Sequence, residues 1–200
     1  MNRPAGLLFD LDGVLVDSYE AWFRVQNALA RELGRPAISR DAFRAAWGQG
    51  VEDDVRAFYP DSTVAEVAAF YDLRFPEHLD HVEVMPGAAE LIEELRGRGF
   101  PTCVITNTPA PLARRLLGMA EIVPDALVGG TDVPAPKPAP DMVRRGAELL
   151  GLDCERVAVI GDSRYDREAA RAAGAAFIGF RIDGDRRVET LEEVLELLKP

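Results

Sequence analysis

The chain is nearly empty of lysine. Of its 23 basic residues 21 are arginine and two are lysine, Lys137 and Lys199, so a lysine in mid-chain is an exception to the protein's own usage. Cysteine is as scarce. Cys103 and Cys154 stand far apart with no second cysteine near either, which excludes a C-x-x-C redox pair or a cysteine zinc site and makes a reduced, cytoplasmic setting the expectation. Positive charge as a whole is short, 23 basic against 34 acidic residues for a formal net charge of −11. A protein that binds the phosphate backbone needs a basic face, so nucleic acid is not an expected partner. Long apolar runs are missing too. The run at 7–9 is broken by Asp10 and Asp12, and the stretch 172–180 falls well short of a bilayer, so neither secretion nor membrane insertion is expected.

What is present is a chain of 200 residues, 48% apolar, long enough to hide roughly 70% of its unfolded surface without crosslinks. Apolar runs at 6–9, 102–105, 126–128, 157–160 and 175–180 read as buried strands, and 90–96, 112–117, 141–150 and 167–173 carry helical spacing. Pro140 and Gly151 punctuate the third of these helices. Strands alternating with helices predict an α/β fold with a parallel sheet. The rhythm breaks between about 16 and 84, where there is no strand-like run and Trp22, Val25, Leu29 and Leu33 fall on one helical face. A core of residues 1–15 and 85–200 is therefore expected to carry a helical insert, residues 16–84, which the chain leaves through the turn Met85-Pro86-Gly87. The insert has no lysine and holds 10 of the 15 aromatic residues, both tryptophans among them. Filling the core of a small bundle is the expected use of those rings, ahead of a dedicated aromatic substrate box.

Four segments at strand ends carry chemistry. In Phe9-Asp10-Leu11-Asp12-Gly13 the carboxylates at i and i+2 face the same way at the carboxyl end of the first strand, where α/β sheets bind ligands. Two carboxylates so close repel unless a cation lies between them or one holds a proton; capping of turns is their ordinary alternative. Thr106-Asn107 offers a hydroxyl and backbone N–H groups at a strand-to-helix junction, suited to a phosphate oxygen or simply to a helix cap. Pro134-Ala135-Pro136-Lys137-Pro138-Ala139-Pro140 presents its lysine from a stiff, extended path, as a phosphate clamp or as a solvated charge on a proline-rich linker. Gly161-Asp162-Ser163-Arg164-Tyr165-Asp166 places Asp162 to complete the oxygen shell of a cation, with Asp166 one helical turn on, or else to cap the helix. His78 and His81 lack a third ligand for zinc and read as surface or hinge residues.

Taken together, the four segments resemble the motifs of the haloacid dehalogenase-like (HAD-like) hydrolases. Asp10-Leu11-Asp12-Gly13 matches the first motif, Thr106 the second, Lys137 the third, and Gly161-Asp162 with Asp166 the fourth, in order and over nearly the whole chain, and the helical insert resembles the family's C1-type cap. The resemblance implies a Rossmann-like core and Mg²⁺-dependent phosphoryl transfer. Asp10 is then the nucleophile and Asp12 the acid and base. Asp10, the Asp12 carbonyl and Asp162 hold Mg²⁺; Thr106, the backbone at Asn107, and Lys137 hold the phosphate; Asp166 orients Lys137 or a metal-bound water. Arg44 or Gln49, in a glycine-bounded segment of the insert, is the expected reader of the leaving group, or Arg44 simply lies in solvent. Asp12 sets the chain apart from the dehalogenases, which lack a second aspartate in that motif. The lysine-free insert sets it apart from the phosphonate-cleaving branch, which needs a cap lysine. The resemblance is strongest to capped phosphatases of the phosphoglycolate phosphatase group, acting on a small phosphorylated metabolite as monomer or homodimer. The alternatives are a sugar-phosphate mutase of the β-phosphoglucomutase type and a non-catalytic phosphate-ligand sensor. On this reading Lys137→Ala should cut turnover and leave the fold intact.

Overall fold

The computed structural model describes residues 3–198; Lys199 lies outside them. The chain starts with β1 (Gly6–Phe9) and leaves the core through β2 (Val16–Asp17). Four helices follow, α1 (Tyr19–Glu32), α2 (Arg40–Ala46), α3 (Val51–Phe58) and α4 (Val64–Arg74), then a 3₁₀ segment, Phe75–His81. The return is through β3 (Glu83–Val84), which pairs antiparallel with β2. Next come α5 (Ala88–Gly97), β4 (Thr102–Ile105), α6 (Ala110–Met119), β5 (Ala126–Val128) and α7 (Asp141–Leu149). The chain continues as β6 (Val157–Gly161), α8 (Arg164–Ala173), β7 (Ala176–Phe180), β8 (Arg186–Val188) and α9 (Glu192–Leu197).

Six strands form one sheet in the order β5-β4-β1-β6-β7-β8, every neighbour parallel. The α/β expectation with a Rossmann-like sheet holds. Successive residues of a strand point to opposite faces, and β1 shows the result: Leu7 and Phe9 join the core shared with α5, α6 and the insert, while Leu8 joins the core under α7 and α8. Both faces of the sheet are covered, which is why its strands read as unbroken apolar runs. β1 lies between β4 and β6, so the chain order reverses beside it and a crevice opens at the carboxyl ends of these three strands. Phe9 is level with Val104 and Ile160, which brings Asp10, Thr106 and Gly161 to the same rim.

Three features differ from the sequence expectation. The β2/β3 ribbon at the stem of the insert was not predicted, because two-residue strands are too short to show a period. β8 and α9 were missed as well; β8 is an edge strand with Arg186 and Arg187 exposed, and edge strands carry polar residues that read as loop. α8 begins three residues earlier than its apolar spacing, because Ser163 and Asp166 form a reciprocal capping box. In the insert, Trp22 packs against Tyr71 and Phe75 with ring centroids 5.2 and 4.6 Å apart, so the aromatic residues do fill a bundle core. Leu33, at the end of the predicted stripe, is exposed. Among the described residues no helix is long and apolar enough to cross a membrane.

Candidate active site

Asp10 leaves β1 buried, and both polar contacts of its side chain fall on one oxygen: Leu11 N donates to Oδ1 at 2.7 Å and Lys137 Nζ lies 2.9 Å from it. Oδ2 takes no hydrogen bond from the described residues. Asp12, on the same side, is turned toward the insert and is held by four donors. Ser18 Oγ (2.5 Å) and Trp22 Nε1 (3.0 Å) donate to Oδ1; Thr108 Oγ1 (2.7 Å) and Thr106 Oγ1 (3.2 Å) donate to Oδ2. Three of the four are hydroxyls, which can rotate and accept instead when Asp12 carries a proton. Gly13 makes the turn possible. Its φ is +84°, and a Cβ there would sit 2.0 Å from Asp162 Oδ2, so no other residue fits.

Lys137 is 2% exposed, against the expectation of an extended loop that presents it: Ala139 N donates to Pro136 O, and the segment turns and drops the side chain inward. Its ammonium donates to Ile105 O (3.1 Å) and Asp166 Oδ1 (2.6 Å) and contacts Asp10, which engages all three of its protons. Burial alone would lower its pKa, but Asp10 and Asp166 outweigh burial and hold it charged. Asp166 is fully engaged behind it, with Oδ2 taking Ser163 N and Oγ. The Asn107 side chain is a strap, donating to Gly48 O and Lys137 O and accepting from Lys137 N, each at 2.9 Å. No acceptor among the described residues meets the Asn107 backbone N–H.

Asp162 answers the question of a cation. Trp47 Nε1 donates to its Oδ2 at 2.9 Å, while Oδ1 is buried with no partner. One oxygen each of Asp10, Asp162 and Asp166 lie within 4.8 Å of one another. Three carboxylates against one ammonium leave a formal deficit of two positive charges, and both free-facing carboxyls are strained by it. Burial, then the charge of Asp166, raises Asp10 well above the usual range and pushes Asp162 up to about 7. A hard divalent ion with oxygen ligands fits this donor set and would remove both penalties.

Of the expected site residues, Asp10, Asp12, Thr106, Asn107 and Lys137 line one cavity of about 60 Å³ between core and insert, with Asp162 and Asp166 beside it. Gln49 also lines it, but its amide N–H donates to Asp54 Oδ1 at 2.7 Å. Arg44 is not brought there. Phe43 is the residue α2 buries, which leaves its neighbour, about 100° further round the helix, exposed and 3.7 Å from Asp41. His78 and His81 stack on each other, away from the cavity. Sequence reasoning missed Trp22 and Trp47, whose rings pack the insert while their N–H groups reach Asp12 and Asp162. Thr108, two residues after Thr106, was the one missed residue with a local signal.

It also missed Asp54, hidden in the acidic first turn of α3 beside Glu52 and Asp53. Asp54 is 4% exposed, and burial pushes it up to about 7 despite hydrogen bonds from Gln49, Tyr71 and Gln26. Because the folded state favours the protonated form, Asp54 supports stability below about pH 4, its unfolded value, and loses that support as pH rises to about 7. Asp54→Asn, which cannot ionise, should therefore gain stability relative to the parent between pH 4 and 8, by up to about 4 kcal/mol. Urea unfolding at both pH values checks this; an unchanged difference would show that Asp54 titrates normally.

The sequence family described as haloacid dehalogenase-like hydrolase matches residues 4–174. A phosphoglycolate phosphatase of Chromobacterium violaceum is 32% identical over 219 residues, covering 100% of this chain and 98% of that protein. Hexitol phosphatase A of Escherichia coli is 31% identical over 204 residues, covering 98% and 93%. Among solved structures, CbbY from Rhodobacter sphaeroides in complex with phosphate superposes with a TM-score of 0.85 at 25% identity, covering 98% of this chain and 99% of that one. The chain belongs to the haloacid dehalogenase-like hydrolase family.

Proposed function

We propose that this hydrolase is a Mg²⁺-dependent phosphatase of small phosphomonoesters, working through an aspartyl-phosphate on Asp10, with residues 16–84 as the cap that closes the site and residues 1–15 and 85–200 as the catalytic core. The observation that carries the reading is one cavity lined by Asp10, Asp12, Thr106 and Lys137, delivered from separate strand ends, with the orphaned Asp162 oxygen beside it. Relatives named phosphoglycolate phosphatase support it.

Asp10 Oδ2, the oxygen without a protein donor, attacks phosphorus as the bond to the leaving oxygen breaks, and Asp12 gives that oxygen its proton. Asp12 then takes a proton from the water that hydrolyses the acyl phosphate and frees Asp10. Lys137 fixes Asp10 through Oδ1 and keeps a positive charge at the reacting centre, and Asp166 fixes Lys137. Thr106 and the Asn107 N–H receive phosphoryl oxygens. Mg²⁺, held by Asp10, the Asp12 carbonyl and Asp162, would supply neutralisation of the phosphoryl charge. The enzyme is placed in the cytoplasm, as monomer or homodimer. p-Nitrophenyl phosphate should be hydrolysed in Mg²⁺ and not in EDTA, with activity restored by added Mg²⁺; metal-independent turnover would sink the proposal.

A further inference from the structure

The three carboxylates that cluster at the rim of the sheet are not held alike. Asp10 and Asp166 are fixed from within the core, Asp10 by Leu11 N and Lys137, Asp166 by Lys137 and Ser163. Asp162 has a single donor among the described residues, and it comes from the insert: Trp47 Nε1 at 2.9 Å from Oδ2. The last torsion of an aspartate is broad and two-fold, so one bond to one oxygen is what sets the plane of this carboxyl group. The other oxygen, Oδ1, is buried and has no partner.

The indole is itself locked to the insert. Trp47 follows the last residue of α2, and its ring packs against Tyr19 and Phe43 with centroids 5.1 and 5.9 Å apart. Gly48 then lets the segment approach the core closely. Its φ is +85°, and a Cβ there would come within 3.0 Å of the Ser163 side chain at the start of α8, so a larger residue would hold the indole away from Asp162. The Gly48 carbonyl is in turn fixed to the core by Asn107 Nδ2. The bond from Trp47 to Asp162 therefore joins two units and exists only while the insert sits on the core.

A group that orients a metal ligand tunes the affinity for the metal. Resting on the Mg²⁺ site of the phosphatase reading, we infer that Trp47 is a positioning residue for that site: its N–H orients Asp162 from the insert, so that Mg²⁺ binds best with the insert seated and the insert is held down when Mg²⁺ is bound. The two effects are one coupling free energy seen from its two ends, and they have the same size. A ring that only packed the insert would give neither.

Trp47→Phe keeps a ring against Tyr19 and Phe43 and removes the N–H. Mg²⁺ titrated into the substrate-free protein in a calorimeter should bind the variant about tenfold more weakly than the parent, the scale on which outer partners of metal ligands are felt. In the parent, NMR follows solvent exchange of the Trp47 indole N–H, and saturating Mg²⁺ should slow it by a similar factor. Equal or tighter Mg²⁺ binding by the folded variant overturns the inference, as does an indole exchange rate that Mg²⁺ leaves unchanged. The parent's exchange rate decides this even if the variant fails to fold. If the parent binds Mg²⁺ and Trp47 fails either measurement, only this inference falls; if the parent binds no Mg²⁺, the metal dependence of the phosphatase reading falls with it.

Discussion

Asp10→Asn is expected to lower kcat on p-nitrophenyl phosphate by at least about 10⁴-fold, the scale on which losing a covalent nucleophile is felt, while the protein stays folded. The structure supports both halves. Asp10 Oδ1 is occupied by Leu11 N and Lys137, and an asparagine oxygen can take the same two donors, so the side chain keeps its place. What changes is the second atom. Oδ2 becomes an amide nitrogen, which has no negative charge to bring to phosphorus and cannot form the acyl phosphate. The substitution also removes one of three clustered carboxylates, which relieves repulsion and offsets part of what Lys137 loses when one of its two counter-ions is neutralised. A steady-state assay with circular dichroism at the same concentration checks it. Activity within tenfold of the parent would remove Asp10 from the chemistry.

Lys137→Ala should do more damage than the sequence suggests. From sequence the lysine is a clamp on a stiff loop, dispensable to the fold. In the structure it is buried between Asp10 at 2.9 Å and Asp166 at 2.6 Å and also carries Ile105 O. Removing one partner of a buried ion pair costs about 3–5 kcal/mol, because the remaining charge is left without compensation. Here two carboxylates are stranded together, beside a hole the size of the lost side chain. The expected result is a fall in melting temperature on the order of 10 °C together with a loss of at least about 10³-fold in kcat, since Asp10 is no longer held for attack. Mg²⁺ should recover part of the stability and little of the activity. Scanning calorimetry with and without Mg²⁺, beside kinetics on the folded fraction, separates the two effects; an unchanged melting temperature would place Lys137 outside the buried cluster.

The difference between these two substitutions marks where sequence reading stopped. Asp10, Asp12, Thr106, Lys137 and Asp162 were legible because each sits at the end of an apolar run or inside a stiff, punctuated segment, and local rules say where a strand ends and which way i and i+2 point. The same rules found five of the six strands of the main sheet. They did not find β8 or the β2/β3 ribbon, where the elements are short or polar and pairing across the sheet, not local preference, makes the strand. Nor could they show that Lys137 has no proton to spare, since its three acceptors come from β1, β4 and α8, far apart in the chain.

The residues of the insert make the sharpest case. Trp22 and Trp47 read correctly as core aromatics, yet an indole has an N–H at its edge, and only the packing of the insert onto the core aims those edges at Asp12 and Asp162. Arg44 read as a possible ligand, and Asp54 drew no reading at all. The structure leaves Arg44 in water, because α2 buries Phe43 instead, while the bundle encloses Asp54 with Gln26, Gln49 and Tyr71. By itself the sequence determined the sheet, which residue types gather at its rim and the presence of a helical insert, since these follow from residue periodicity and from motifs confined to a few positions. The tertiary structure alone decided which groups are desolvated, which protons and oxygens are left over, and what the insert presents to a leaving group. Those properties depend on what lies across a gap of a few ångströms, between residues as far apart in the chain as Asp10 and Lys137.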